Sequence, residues 1–274
     1  MKHSSFYVRV ATVGRVIAIA NQKGGVGKTT TAINLGAALA AAECRTLVVD
    51  CDPQGNSSSG FGFARDPGRR SLYNVLAGEA KIAEVRLTTA IDGLDVVPAD
   101  RNLVGVNVEL VGSEDRATKL REALAPVREE YRYILVDCPP ALDLLTVNAL
   151  VAADTLLIPI QCEYFALEGV SELMNTMERI RESLNPSLKI EGVLLTMFDD
   201  RTMLTRQVAD DLRSFFSTEV FETVIPRNVR LAEAPSHGKP IILYDVNCRG
   251  AEGYIRLAKE ILAREAEVRA IGAV

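Results

Sequence analysis

The chain has 274 residues, 48% of them hydrophobic and 24% charged, with a formal net charge of −5. That length buries one large core and suits a single α/β domain. The net charge argues against polyanion binding by the whole surface but allows a local basic patch, and no apolar run is long enough to cross a bilayer.

Residues 1–14 mix polar and apolar types without a signal-peptide core and read as a loose tail. The first strand opens at Arg15 or Val16 and runs apolar to Ala20. It enters Asn21-Gln-Lys-Gly-Gly-Val-Gly-Lys-Thr-Thr30, and a helix-forming run to Ala42 follows. Strand, glycine loop and helix in that order form a phosphate cradle. Gly24, Gly25 and Gly27 lack side chains, so backbone N–H groups across the loop, Val26 included, can close on an anion. The positive end of the helix dipole points at the same place. Lys28 is placed to neutralise outer phosphates, the Thr29 hydroxyl suits Mg²⁺, and that of Thr30 suits a phosphate oxygen. The usual loop begins with glycine where Gln22 stands here, and Lys23 adds a second lysine before the paired glycines.

Strand and helix signals then alternate. Arg45–Asp50 is a short apolar strand, and Cys51–Gly60 is loop by composition. Ser71 caps a short helix to Ala77, and Gly93–Pro98 is strand. A charged amphipathic helix is expected from Ser113 to about Glu130. Arg132–Asp137 is a buried strand stopped by Pro139-Pro140, Leu142–Val151 is helix, and Thr155–Pro159 is strand. Leu167–Leu184 has helical spacing of Val170, Leu173, Met174, Met177, Ile180 and Leu184, which core packing explains. Ile190–Met197 reads as strand, Thr202–Phe216 as helix, Val220–Val224 as strand and Ala251–Ala266 as a closing helix. The pattern implies one P-loop domain, α/β, with a mostly parallel twisted sheet and helices on both faces.

In such sheets ligands bind beyond the carboxyl ends of the strands. Asp50, Asp52 and Asp137 end strands there. One of them suits the Mg²⁺ shell while another orients an attacking water. Cys44, Cys51, Cys138, Cys162 and Cys248 form no C-x-x-C pair and read as free thiols in a reducing cytoplasm. His237 reads as structural, since no second histidine lies near it in the chain.

Lys23-Gly-Gly-Val-Gly-Lys-Thr-Thr30 resembles the deviant Walker A loop of the ParA/MinD ATPases. Val49-Asp-Cys-Asp-Pro-Gln-Gly-Asn56 resembles the acidic motif of the chromosomal ParA branch, called Soj, and Ile134-Leu-Val-Asp-Cys-Pro-Pro140 its Walker B. Thr196–Thr202 and Val224–Pro240 are similar to further Soj signatures. The similarity runs from about Arg15 to Ala263 and implies an ATPase domain over 15–268, with 269–274 as a C-terminal tail. It implies ATP and Mg²⁺ as cofactors and a slow, partner-stimulated ATPase that forms a homodimer with nucleotide between the subunits. By this resemblance Lys28 contacts its own ATP, Lys23 reaches the ATP of the partner copy, and Asp52 positions water. Asp50 and Asp137 support Mg²⁺ and its waters. Pro226 and Asn228 lie in the adenine-binding segment, with Met197 or Phe198 packing nearby.

The resemblance also implies nonspecific binding of double-stranded DNA by the ATP dimer, a ParB-type partner, and a cytoplasmic, nucleoid-associated protein that segregates chromosomes or plasmids. Arg206 and Arg213 share a helix face, and Arg227, Arg230, Lys239 and Arg249 lie in the same C-terminal third. Such cations can hold phosphates without reading bases. The main alternative is a MinD-like membrane ATPase, but Glu260–Val274 is acidic, alanine-rich and free of aromatic residues, unlike a membrane-seeking helix. A nitrogenase-iron-protein-like reductase would need paired cluster cysteines, and the residues around Cys138 and Cys162 match Soj instead. An amidoligase using the same loop would turn over a small acid or amine.

Overall fold

A computed structural model describes residues 13–163 and 166–272. Seven short apolar runs form one sheet: β1 (Arg15–Ile19), β2 (Thr46–Asp50), β3 (Leu87–Thr88), β4 (Leu94–Val97), β5 (Tyr133–Asp137), β6 (Thr155–Gln161) and β7 (Lys189–Thr196). Their order is β3-β4-β2-β5-β1-β6-β7. Only β3 pairs antiparallel, with β4; every other neighbour is parallel.

Period-two alternation splits each central strand between two cores. Val16 and Ala18 pack with Ile134, Val136, Leu156 and Ile158 beneath helices Leu144–Ala152, Ala166–Ser183 and Met203–Phe216. Ile17 and Ile19 pack with Tyr133, Leu135 and Leu157 beneath helices Lys28–Ala41 and Arg249–Gly272. Each fully buried large apolar side chain contributes about 1.5–3 kcal/mol. Gly36 lets helix Lys28–Ala41 lie flat on β2, since a Cβ there would meet Val48 Cγ2 at 2.8 Å. The expected fold class therefore holds: a mostly parallel sheet with helices on both faces.

Four expected elements differ. Within the expected loop, Asn56–Gly60 forms a short helix, because Asp50 Oδ2 accepts Ser58 N at 2.8 Å and Ser58 Oγ at 2.7 Å. The helix expected from Ser113 is broken into turns, a helix Lys119–Leu124 and a 3₁₀ stretch Ala125–Glu130 that opens at Pro126, a residue without an N–H to donate. Val220–Val224 makes a single bridge to β7 instead of a strand. The Glu260 carboxylate takes Glu222 N at 2.9 Å and Thr223 N at 3.0 Å, which removes those donors from the sheet. The closing helix starts at Arg249 and continues to Gly272, past the tail boundary expected at 268. Helices Leu103–Glu109 and Val229–Glu233 were not anticipated.

Ser71 does cap helix Leu72–Leu76, accepting Tyr73 N at 3.2 Å. Gly14 is tied to the body by Arg128, whose Nε donates to the Gly14 carbonyl at 2.7 Å. Val13 is exposed, and residues 1–12 of the expected N-terminal tail lie outside the described residues. No described helix is long and apolar enough to cross a membrane.

Candidate nucleotide site

β1 delivers the chain to the glycine loop at the carboxyl edge of the sheet, between β5 and β6. Gly25 and Gly27 take φ of 73° and 89°, a left-handed region that side-chain-bearing residues avoid. At Gly24 and Gly25 a Cβ would meet nothing within 4 Å among the described residues, so the loop backbone borders open space. Gly27 forms the N-cap of helix Lys28–Ala41, and Thr196 Oγ1 on β7 pins the loop by donating to the Val26 carbonyl at 2.8 Å.

The loop borders a cleft of about 540 Å³. Gly24, Gly25, Gly27, Lys28, Thr29 and Thr30 form one side, and Met197, Pro226 and Asn228 the other, with Asp52 also on its wall. Most of the expected phosphate and adenine contacts thus converge on one space of a size suited to a nucleotide. Asn228 also caps helix Val229–Glu233, its Oδ1 accepting Arg230 N at 2.8 Å. Phe198 does not line the cleft. Its backbone N–H donates to the Ile225 carbonyl at 2.9 Å, and its ring packs on the core. Val26 is buried and Lys23 points elsewhere, so neither lines the cleft through its side chain. Asn56, Thr196, Arg227 and Tyr254 line it unanticipated. Asn56, Thr196 and Arg227 do fall inside the quoted motifs.

Lys28 is 6% exposed, and its Nζ donates to the Lys23 carbonyl at 3.0 Å. Burial lowers its pKa, while the charges of Asp137, Cys138 and Asp52 oppose the shift. The Lys23 ammonium bonds Glu163 Oε2 at 2.6 Å.

The three acids play different parts. Asp50 and Asp137 are register partners on β2 and β5 and are fully buried. Asp50 spends Oδ2 on Ser58 and accepts Asp52 N on Oδ1 at 3.2 Å, so its oxygens hold the acidic loop. Asp137 Oδ2 accepts Ser57 Oγ at 2.7 Å, and among the described residues its Oδ1 has no hydrogen-bond partner. Burial raises the Asp137 pKa first and the Asp50 charge second; Ser57 and the nearby Thr29 hydroxyl oppose this. Burial likewise raises Asp50. Asp52 is half-buried, and its Oδ1 accepts Gln54 N at 2.9 Å.

A buried carboxylate oxygen without a partner is costly unless a cation or its water completes it. Asp137 Oδ1 beside Thr29 therefore fits an Mg²⁺ shell. One protein carboxylate, a hydroxyl and substrate phosphates are the usual Mg²⁺ donor set. Among the described residues no three His, Cys, Asp or Glu side chains converge as a metal cage. Cys138 and Cys162 are buried in the core.

The expected DNA residues Arg206, Arg213, Arg227, Arg230, Lys239 and Arg249 are all exposed. They are not equally free. Arg206 Nε donates to the Asp200 carbonyl at 2.7 Å, and Arg213 pairs with Asp210 at 3.3 Å. Arg230 bridges Glu233 at 2.9 Å and Asp245 at 3.6 Å. Arg227 borders the nucleotide cleft.

Residues 14–190 match a family model described as an AAA domain. The chain is 55% identical over 258 residues to the chromosome partitioning protein ParA of Caulobacter vibrioides, covering 93% of this chain and 97% of that protein. It is 53% identical to the sporulation initiation inhibitor protein Soj of Bacillus subtilis, covering 92% and 99%. Among solved structures, a cobyrinic acid a,c-diamide synthase of Mycobacterium smegmatis with bound ATP analog and magnesium superposes with a TM-score of 0.80 at 34% identity, covering 91% and 95%. The cell division ATPase MinD of Pyrococcus furiosus superposes with a TM-score of 0.75 at 28% identity, covering 91% and 99%.

Proposed function

Since the chain belongs to the ParA/Soj family of chromosome-partitioning ATPases, we propose that it is an ATP-dependent dimerising switch that binds DNA nonspecifically and segregates chromosomes or plasmids with a ParB-type partner. The observation that carries the reading is the division of labour between its two loop lysines. Lys28 is buried at the cleft floor, whereas the Lys23 ammonium stands outside its own cleft. A lysine of that kind serves a nucleotide held by a second copy.

Lys28 and the loop N–H groups hold the phosphates of the chain's own ATP. Asp137 and Thr29 would hold Mg²⁺, which would supply positive charge against the phosphate oxygens. Asp50 keeps the acidic loop in place through Ser58, so that Asp52 faces the cleft and orients the attacking water. Pro226, Asn228 and Met197 border the base. Lys23 of each copy neutralises charge on the opposite ATP in a water-poor interface, where a cation acts strongly. Loss of the outer phosphate removes that attraction, and the dimer loosens.

Exposed cations on the C-terminal third contact DNA phosphates, and dimerisation doubles a weak patch on one duplex. The chain's 55% identity to a partitioning protein exceeds its 34% identity to the synthase structure, which favours a DNA-partitioning role over ligation of a small acid. The test compares ATP with ADP by sedimentation, then by retention on plain duplex DNA at rising salt. An ATP-requiring dimer whose DNA retention fades with salt supports the proposal. Retention on anionic liposomes in place of DNA, or turnover of a small acid with no DNA effect, contradicts it.

A further inference from the structure

Glu163 lies in the turn after β6, and none of the phosphate, magnesium or base contacts described above involves it. Its carbonyl accepts Ala166 N at 2.9 Å, and its carboxylate takes Lys23 Nζ at 2.6 Å. The backbone of Lys23 is fixed on both sides. Its amide donates to Asn21 Oδ1 at 3.0 Å, Asn21 Nδ2 donates to the Pro159 carbonyl at 2.8 Å, and the Lys23 carbonyl takes Lys28 Nζ at 3.0 Å. Only the side chain of Lys23 is left to swing, and Glu163 holds its end. The two side chains are 38% and 46% exposed, so the pair opens readily.

We propose that Glu163 is an intramolecular latch that holds Lys23 on its own subunit and sets the ATP concentration at which two copies close. The proposal rests on the reading that Lys23 serves the nucleotide of the second copy. An ammonium bound to Glu163 must leave it before reaching that nucleotide. A triphosphate carries more charge than one carboxylate and wins the exchange; a diphosphate competes less well. The latch thus raises the ATP concentration needed for closure, since every closure must first break two such pairs, one per copy.

The experiment measures dimer formation by sedimentation as ATP is titrated with Mg²⁺ at low salt, for the parent, Glu163→Gln, Lys23→Ala and the double variant. Glutamine keeps the size of the side chain and the backbone bond to Ala166, so the nucleotide-free melting temperature stays at the parent value. Half-maximal dimerisation of Glu163→Gln is expected at an ATP concentration about two- to fivefold lower than for the parent, the range an exposed ion pair supports. The gain shrinks at high salt, where such pairs are screened. The double variant behaves as Lys23→Ala alone. An unchanged or higher ATP requirement for Glu163→Gln, with Lys23→Ala still failing to dimerise, overturns the latch and leaves the wider reading standing. Dimerisation of Lys23→Ala at the parent's ATP concentration overturns the wider reading itself.

Discussion

Ser57 donates its hydroxyl to Asp137 Oδ2 at 2.7 Å, and the other oxygen of Asp137 is left buried without a partner among the described residues. One carboxylate thereby joins the acidic loop to the end of β5 and keeps one oxygen for a cation. Asp137→Asn tests that arrangement. It removes a buried charge, so stability without nucleotide is expected to hold or rise, by up to about 2 kcal/mol in urea unfolding. Magnesium-dependent tightening of ATP binding, read by titration calorimetry with and without Mg²⁺, is expected to vanish. Stability falling while the magnesium effect survives would show that Asp137 serves the fold instead.

Burial and the neighbouring Asp50 charge raise the Asp137 carboxyl from the usual carboxylate range to about 7. Between those values the folded protein holds a proton that the unfolded chain has released. Stability of the nucleotide-free protein therefore falls as pH rises through that window. Mg²⁺ favours the charged carboxylate, so the melting-temperature gain from Mg-ATP is expected to grow over the same range. Thermal melts at about pH 5.5 and about pH 8, with and without Mg-ATP, check both signs. A Mg-ATP gain larger at the lower pH would contradict them.

Two glycines separate folding from binding. Gly24 borders open space, so Gly24→Val is expected to melt within about 0.5 kcal/mol of the parent. Its ATP affinity is expected to fall roughly 10- to 100-fold, since the loop N–H groups no longer approach the phosphates. Gly238 sits at φ 61°, and a Cβ there would lie 2.6 Å from Gly62 Cα. Gly238→Ala is expected to cost about 1–3 kcal/mol of folding stability, because backbone meets backbone and neither yields cheaply.

The basic surface divides by pairing. Among the described residues no acid pairs with Lys239 or Arg249, whereas Arg230 is clamped by Glu233 and Asp245. Replacing Lys239 and Arg249 by alanine is expected to weaken DNA retention and lower the slope of log affinity against log salt by about one per lost phosphate contact. Melting temperature and ATP-dependent dimerisation stay unchanged. Arg230→Ala is expected to weaken DNA retention as well, and also to lower the melting temperature, since it frees two acids beside the patch. An unchanged salt slope in the double variant would move the DNA surface elsewhere.

The glycine loop, six of the strands and the strand-end acids Asp50 and Asp137 were legible because short apolar runs bounded by Gly, Pro or Asp leave few alternatives. What was not legible depends on partners far apart in the chain. Val220–Val224 has the composition of a strand, but Glu260 takes its amides from 38 and 37 residues away. Cys51–Gly60 has the composition of a loop, and only Asp50 at the end of β2 makes Ser58 part of a helix. Met197 and Phe198 are adjacent, and the φ of 47° at Met197 marks the turn that leaves the first on the cleft and the second on the core. Lys23 stood out as a second lysine, but its contact with Glu163 spans 140 residues and left no mark in the motif.

Lys23 is proposed to act on the nucleotide of a second copy. Sedimentation of Lys23→Ala beside the parent, each saturated with Mg-ATP, decides whether it does. The parent is expected to sediment as a dimer and the variant as a monomer that still binds ATP through Lys28. A variant that dimerises and hydrolyses ATP as the parent does would contradict it.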